Sequence, residues 1–205
     1  MIPAWINWAR EIQALSQTSL HFSENAFQVE RYNRLTEIAA EIIAAHTQSD
    51  VPELVQNFQA QRGYATPRVD VRAAVFRQGK LLLVREISDD GWTLPGGWAD
   101  VGDTPSLAAE REVREEAGFA VKANKLVGVY DANRVGELTL FHAYKLVFLC
   151  DLNGGQARPS SETSAVGFYG RDEIPQPFSG ERTQWRYIED AFAAYADPDW
   201  VTVFD

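Results

Sequence analysis

The sequence predicts an α+β fold, in which a small all-α N-terminal domain, residues 1–64, precedes a mixed-sheet domain with helices, residues 65–205. Three observations predict it. Apolar residues recur at helical spacing through the first segment. After Tyr64-Ala65-Thr66-Pro67 the period drops from about 3.6 to about 2. A glycine-rich loop then feeds a well-capped helix among strand-like runs. At 205 residues the chain exceeds the commonest single-domain size of roughly 100–150 residues, so a domain with an appendage fits its length.

In chain order, Trp5, Trp8, Ala9, Ile12 and Leu15 mark one amphipathic helix, and Phe27, Leu35, Ile38, Ala39, Ile42 and Ile43 mark a second. A third, shorter helix is predicted from Val51-Pro52, where proline suits a first turn, to about Gln61, just before Gly63. Past the boundary Val69, Val71, Ala73 and Val75 alternate with Asp70, Arg72, Ala74 and Phe76, which predicts a strand. Gln78-Gly79 reads as a turn and Lys80 to Arg85 as a second strand, so the two form a hairpin. Strands are also expected at 125–130, 138–150 and 164–169, and a last helix at about 181–195. Thr104 as N-cap, Pro105 in the first turn and Gly118 past the end predict a helix over 105–117.

The composition, 45% hydrophobic and 23% charged, is that of a folded globular protein. A net charge of −10 argues against broad binding to a nucleic-acid backbone, which needs a positive surface. The start Met1-Ile2-Pro3-Ala4-Trp5 lacks the features of a signal peptide, and no apolar run reaches the roughly 20 residues that span a bilayer, so no membrane association and a cytoplasmic location are expected. The single cysteine, Cys150, lies in the apolar run Lys145-Leu146-Val147-Phe148-Leu149-Cys150 and reads as buried filler.

The chemistry concentrates in Gly96-Gly97-Trp98-Ala99-Asp100-Val101-Gly102-Asp103-Thr104-Pro105 and the helix after it. Glu112, Glu115 and Glu116 stand at i, i+3 and i+4, which places three carboxylates on one helix face. Ala109, Val113 and Ala117 form a neighbouring face able to pack on a sheet. Like charges so placed cost roughly 0.2–0.5 kcal/mol per pair on an isolated helix, a cost that divalent cations would remove. Hard oxygen ligands, with only three histidines and one cysteine in the chain, point to Mg²⁺ or Mn²⁺. Three glutamates alone also fit a solvated acidic face stabilised by Arg111 and Arg114.

The whole arrangement, Gly97, then Asp103, then Arg111-Glu112-Val113-Arg114-Glu115-Glu116-Ala117-Gly118-Phe119, resembles the Nudix box. It departs from the family pattern once, with Asp103 where a glutamate is usual; in the family that acidic residue pairs with the arginine matching Arg111. The resemblance continues through Gly63 to Arg72, Leu94 to Gly102 and Phe168-Tyr169 with Asp172-Glu173-Ile174-Pro175, and is to the Nudix subgroup with an N-terminal helical domain that includes CDP-choline and ADP-ribose pyrophosphatases.

The resemblance implies a Nudix α/β/α sandwich hydrolysing a nucleoside diphosphate derivative, with CDP-choline and ADP-ribose leading, to a nucleoside monophosphate and a phosphorylated product. By position, Glu112, Glu115 and Glu116 bind metal with the carbonyl of Gly96, and Arg111 braces the catalytic acids. Glu162, in Ser160-Ser161-Glu162-Thr163, is the candidate general base, with Glu112 competing. Arg72 and Arg85 are candidates for substrate phosphate, and Trp98, Tyr130 and Asp131 for base or sugar, while Trp92 reads as core. The helical domain, through Trp5, Trp8 and Phe27, is expected to support a homodimer. An RNA-processing enzyme and a non-catalytic ligand sensor are the alternatives; the intact glutamates and the acidic charge weigh against them.

Overall fold

The computed structural model describes residues 3–132, 142–180 and 182–205. The chain forms two units, one ending at Pro67 and the other beginning at Arg68.

The first unit consists of helices α1 (Ala4–Phe22), α2 (Ala26–Ala44) and α3 (Val51–Gln59). The Asn25 side chain accepts the Phe27 N–H at 2.9 Å and so caps α2. Ile6, Ala9, Ala39, Ala40, Ile43, Leu54 and Phe58 form the core of this unit. Trp5 packs partly against it and stacks on His46 at 4.3 Å, while Trp8 and Phe27 stay exposed.

The second unit is built on strands β1 (Arg68–Arg77), β2 (Lys80–Glu86), β3 (Trp92–Thr93), β4 (Phe119–Asp131), β5 (Ala143–Gly155), β6 (Thr163–Tyr169) and β7 (Val203–Phe204), with helices α4 (Pro105–Ala117) and α5 (Trp185–Ala196). Among the described residues the mixed sheet runs β3-β2-β1-β5-β4-β7, with β6 on the other edge of β2. β1 is parallel to β5 from Arg68 to Val75 and antiparallel to β2 only at Phe76 and Arg77. Past that short pairing β1 and β2 diverge. The edge of β1 left open is taken by the glycine loop: Val71 N–H donates to Gly97 O, Ala73 N–H to Pro95 O, and Ala99 N–H to Val69 O, at 2.8–3.0 Å.

Alternation along β1 sends Val71, Ala73 and Val75 to one face, where Ala108, Ala109, Val113 and Ala117 of α4 cover them. Ala74 and Phe76 face the other way, against Tyr187, Ile188, Ala191 and Ala194 of α5. The result is the expected α/β/α sandwich. Cys150 is buried in the α4 layer, and burial pushes its thiol up to about 12.

Several boundaries differ from expectation. β4 starts at Phe119, because Gly118, at φ +77°, ends α4 and turns the chain directly into the strand. β5 runs on to Gly155, past the end of the strand expected at 138–150. Residues 138–141 of the strand expected at 138–150 lie outside the described residues. α5 begins at Trp185 rather than about 181, since its N-cap Gln184 is extended and Thr183 before it is tied to Leu94. No described helix is long and apolar enough to cross a membrane.

Candidate active site

The glycine loop and α4 carry the site. The Thr104 hydroxyl accepts the Leu107 N–H at 3.3 Å, and Pro105 opens the helix. At Gly96, φ is +146° and a Cβ would stand 2.0 Å from the Val71 carbonyl, so only glycine lets the loop lie this close to β1. The Gly96 N–H donates to Glu116 Oε2 at 2.8 Å, and the Glu112 carboxylate packs against Gly97. Two acids of the helix therefore converge on the Gly96-Gly97 turn.

Glu116 is only 5% exposed. Burial pushes its carboxyl up to about 8, with Glu112 and Glu86 repelling the same charge and Arg72 and the Gly96 N–H opposing the rise. Burial also raises Glu112, against the pull of Arg111. Glu115 is more exposed and turns outward to Arg111. Arg111 contacts Asp100 at 3.2 Å, Asp103 at 3.1 Å, Glu112 at 2.8 Å and Glu115 at 3.1 Å. The shorter Asp103 thus still reaches Arg111, and the arginine is a brace for the acidic face. Among the described residues no three acidic, histidine or cysteine side chains already converge on one point, because Arg111 draws Glu115 and one oxygen of Glu112 aside.

Glu162 is exposed one residue before Thr163, whose hydroxyl donates to the backbone carbonyl of Glu116 at 2.7 Å. Its own carbonyl accepts the Ile87 N–H, so its segment is tied both to the end of β2 and to α4. Trp98 is 48% exposed, beside the loop, with the Arg68 guanidinium 5.6 Å from its ring centroid.

Three candidates are placed differently from expectation. Arg72 is buried beneath the loop, bound to both oxygens of Asp70 at 2.8 and 2.9 Å and to Thr93 Oγ1 and Leu94 O, so it faces inward rather than toward a substrate. Tyr130 lies in the α5 core with its hydroxyl on Asp190 at 2.8 Å, and so has no surface to offer a base or sugar. Arg85 is clamped by Asp90 through its side chain at 2.6 Å and its carbonyl at 3.2 Å. Asp131 is half-buried, its N–H on Asp205 at 2.8 Å. Trp92 packs partly buried against the α5 core.

Two charged residues at the site escaped the sequence reading. Glu86, at the end of β2, is buried and shares the electrostatic neighbourhood of Glu116, Arg72 and Glu162. Arg182 lies 3.8 Å from it.

The sequence that builds this glycine loop and the two carboxylates converging on it, one buried and one partly buried, matches a known family. Residues 66–191 match the model of the NUDIX domain, and residues 3–58 match the UDP-X-like, N-terminal oligomerisation domain. The chain belongs to the Nudix family of pyrophosphohydrolases. Its place is in the Nudix subgroup with an N-terminal helical domain. It is 34% identical over 202 residues to a putative ADP-ribose pyrophosphatase of Bacillus subtilis, covering 98% of this chain and 97% of the relative. A solved structure titled UDP-X diphosphatase is 31% identical, with a TM-score of 0.63 and 97% of each chain covered. An ADP-ribose pyrophosphatase from Streptococcus suis is 37% identical, with a TM-score of 0.63, over 68% of this chain and 100% of that one. Nudix hydrolases as a family work with a divalent cation.

Proposed function

We propose that this Nudix enzyme acts in the cytoplasm as a homodimer and uses Mg²⁺ to hydrolyse the pyrophosphate bond of a nucleoside diphosphate joined to another moiety. ADP-ribose is the leading substrate and CDP-choline the next. The products are a nucleoside monophosphate and a phosphorylated second product.

One observation carries the reading: Glu112 and Glu116 lie against the Gly96-Gly97 turn, with Glu116 buried and pushed up to about 8. Two carboxyl groups are crowded there, and the buried one keeps its proton until a cation takes its place; the donors are hard oxygens, which fits Mg²⁺ or Mn²⁺. Glu112, Glu116, Glu115 and the carbonyl of Gly96 would hold the ion. Bound there, a divalent cation neutralises diphosphate charge and lowers the pKa of water. Glu162 takes the proton from the attacking water, with Glu112 as the competing base. Arg111 keeps Glu112 and Glu115 oriented, and the exposed indole of Trp98 offers a stacking surface to the base or sugar.

ADP-ribose leads because the similarity to a putative ADP-ribose pyrophosphatase spans nearly the whole chain. The UDP-X diphosphatase match is equally complete, so UDP-linked sugars belong among the substrates tried. Exposed Trp8 and Phe27, in the segment matching an oligomerisation domain, support the homodimer.

The test is product release from ADP-ribose, CDP-choline, UDP-sugars and 5′-triphosphate RNA, with and without Mg²⁺, for the wild type and Glu116→Gln. One preferred nucleoside diphosphate derivative, turned over only with metal and hardly at all by the variant, is expected. Preference for RNA, or tight binding of one ligand without any turnover, would overturn the proposal.

A further inference from the structure

We propose that Arg182 binds a phosphate of the substrate and that Glu86 is the residue positioning it; this rests on the hydrolase reading above. The arginines expected in that role are otherwise engaged. Arg72 is buried on Asp70, and Arg85 is held 2.6 Å from Asp90. Arg111 is shared among four carboxylates.

Arg182 differs from buried Arg72 in exposure and from Arg85 in its partners. Its side chain is 41% exposed, and its hydrogen bonds go to two hydroxyls, Ser88 Oγ at 3.3 Å and Ser179 Oγ at 3.1 Å. The nearest carboxylate oxygens, of Glu86 and Asp89, each stand 3.8 Å away, beyond hydrogen-bond reach. The guanidinium is thus attracted by two acids while keeping donors for an incoming anion, and its fork suits the bidentate geometry of phosphate.

Its backbone is fixed to the catalytic loop on both sides. Ser179 N–H donates to Trp92 O at 2.9 Å. Thr183 Oγ1 accepts the Leu94 N–H at 2.9 Å and shares a hydrogen bond with Thr93 Oγ1 at 2.8 Å. Trp92 to Leu94 runs directly into Pro95-Gly96-Gly97. Arg182 is therefore mounted on the strand that delivers the glycine turn.

Glu86 links this cation to the acidic centre. It is 5% exposed and stands in register with Thr163, which holds the Glu116 backbone at 2.7 Å. Through Glu86, 3.8 Å away, and the pairing of Glu86 with Thr163, Arg182 is held beside the strand edge that grips the Glu116 backbone, where a cation would meet a diphosphate's charge.

The experiment is steady-state kinetics with Mg²⁺, on the best substrate of the panel, for wild type, Arg182→Ala, Arg182→Lys and Glu86→Gln, with thermal melts of each. Arg182→Ala is expected to raise KM about tenfold or more with kcat within about threefold, Arg182→Lys to recover part of that loss, and Glu86→Gln to raise KM by about threefold or more. A KM within about twofold of wild type in Arg182→Ala overturns the proposal. If that variant does not fold, Arg182→Lys decides, an unchanged KM counting against. If the wild type turns over nothing, the hydrolase reading fails separately. Equilibrium binding of α,β-methylene ADP then judges Arg182: weakening of about tenfold in Arg182→Ala supports its role, and equal affinity, or none in the wild type, refutes it.

Discussion

Replacing Asp70 by alanine should be among the most damaging single changes in the sheet. Asp70 is 4% exposed and accepts from Arg72 at 2.8 and 2.9 Å, with Lys145 Nζ 3.2 Å from Oδ2. Desolvation of the carboxylate is outweighed by these two cations, which hold its pKa below the ordinary range. Without Asp70, Arg72 stays buried with only the neutral oxygens of Thr93 and Leu94. Breaking a buried pair from one side costs about 3–5 kcal/mol. Urea denaturation followed by circular dichroism would measure the loss. Because Arg72 also holds the segment entering the glycine loop, kcat should fall as well. Arg72→Met should remove one of the two buried cations that had faced Asp70, so the Asp70→Ala/Arg72→Met pair should recover at least about 1.5 kcal/mol relative to the sum of the single losses. A single-variant loss under about 1 kcal/mol, or a coupling under about 0.5 kcal/mol, would refute the buried-pair reasoning.

Two further expectations follow from the loop and its acids. Gly96→Ala, whose methyl would meet the Val71 carbonyl at 2.0 Å, should displace the turn and cost about a hundredfold in kcat, and near-normal turnover would contradict the loop's placement. In metal-free protein the Glu116 carboxyl, at about 8 rather than 4.5, binds its proton more tightly folded than unfolded. The stability this supplies is complete below about pH 4.5 and disappears as pH rises through about 8. Glu116→Gln, with no proton to lose, should therefore gain in melting temperature over wild type between about pH 5 and about pH 9 in EDTA, whereas parallel melting curves would defeat the assignment.

The loop and helix of the site were legible because their signals are local: Thr104, Pro105 and Gly118 delimit α4, and i, i+3, i+4 spacing puts the acids on one face. The polar residues of β1 were harder to read. Asp70 and Arg72 alternate with valines as a solvent face would, yet helices cover both faces of this sheet and the two neutralise each other inside. Tyr130 misled for the same reason, since its polar tip is satisfied by Asp190 rather than by a ligand. β3 and β7 span two residues each, too short to leave a periodic trace. Glu86 and Arg182 meet only through tertiary pairing of β2 with β6 and of Thr183 with Leu94.

That last bond sets an order of birth. The glycine turn and the carboxylates of α4 leave the ribosome before Thr183, whose hydroxyl anchors Leu94. β1 likewise waits for β5 to supply its parallel partner. A folding chain can thus carry a finished Nudix box before Thr183 and β5 are in place to hold its loop, so the local order of the box precedes the long-range contacts that position it.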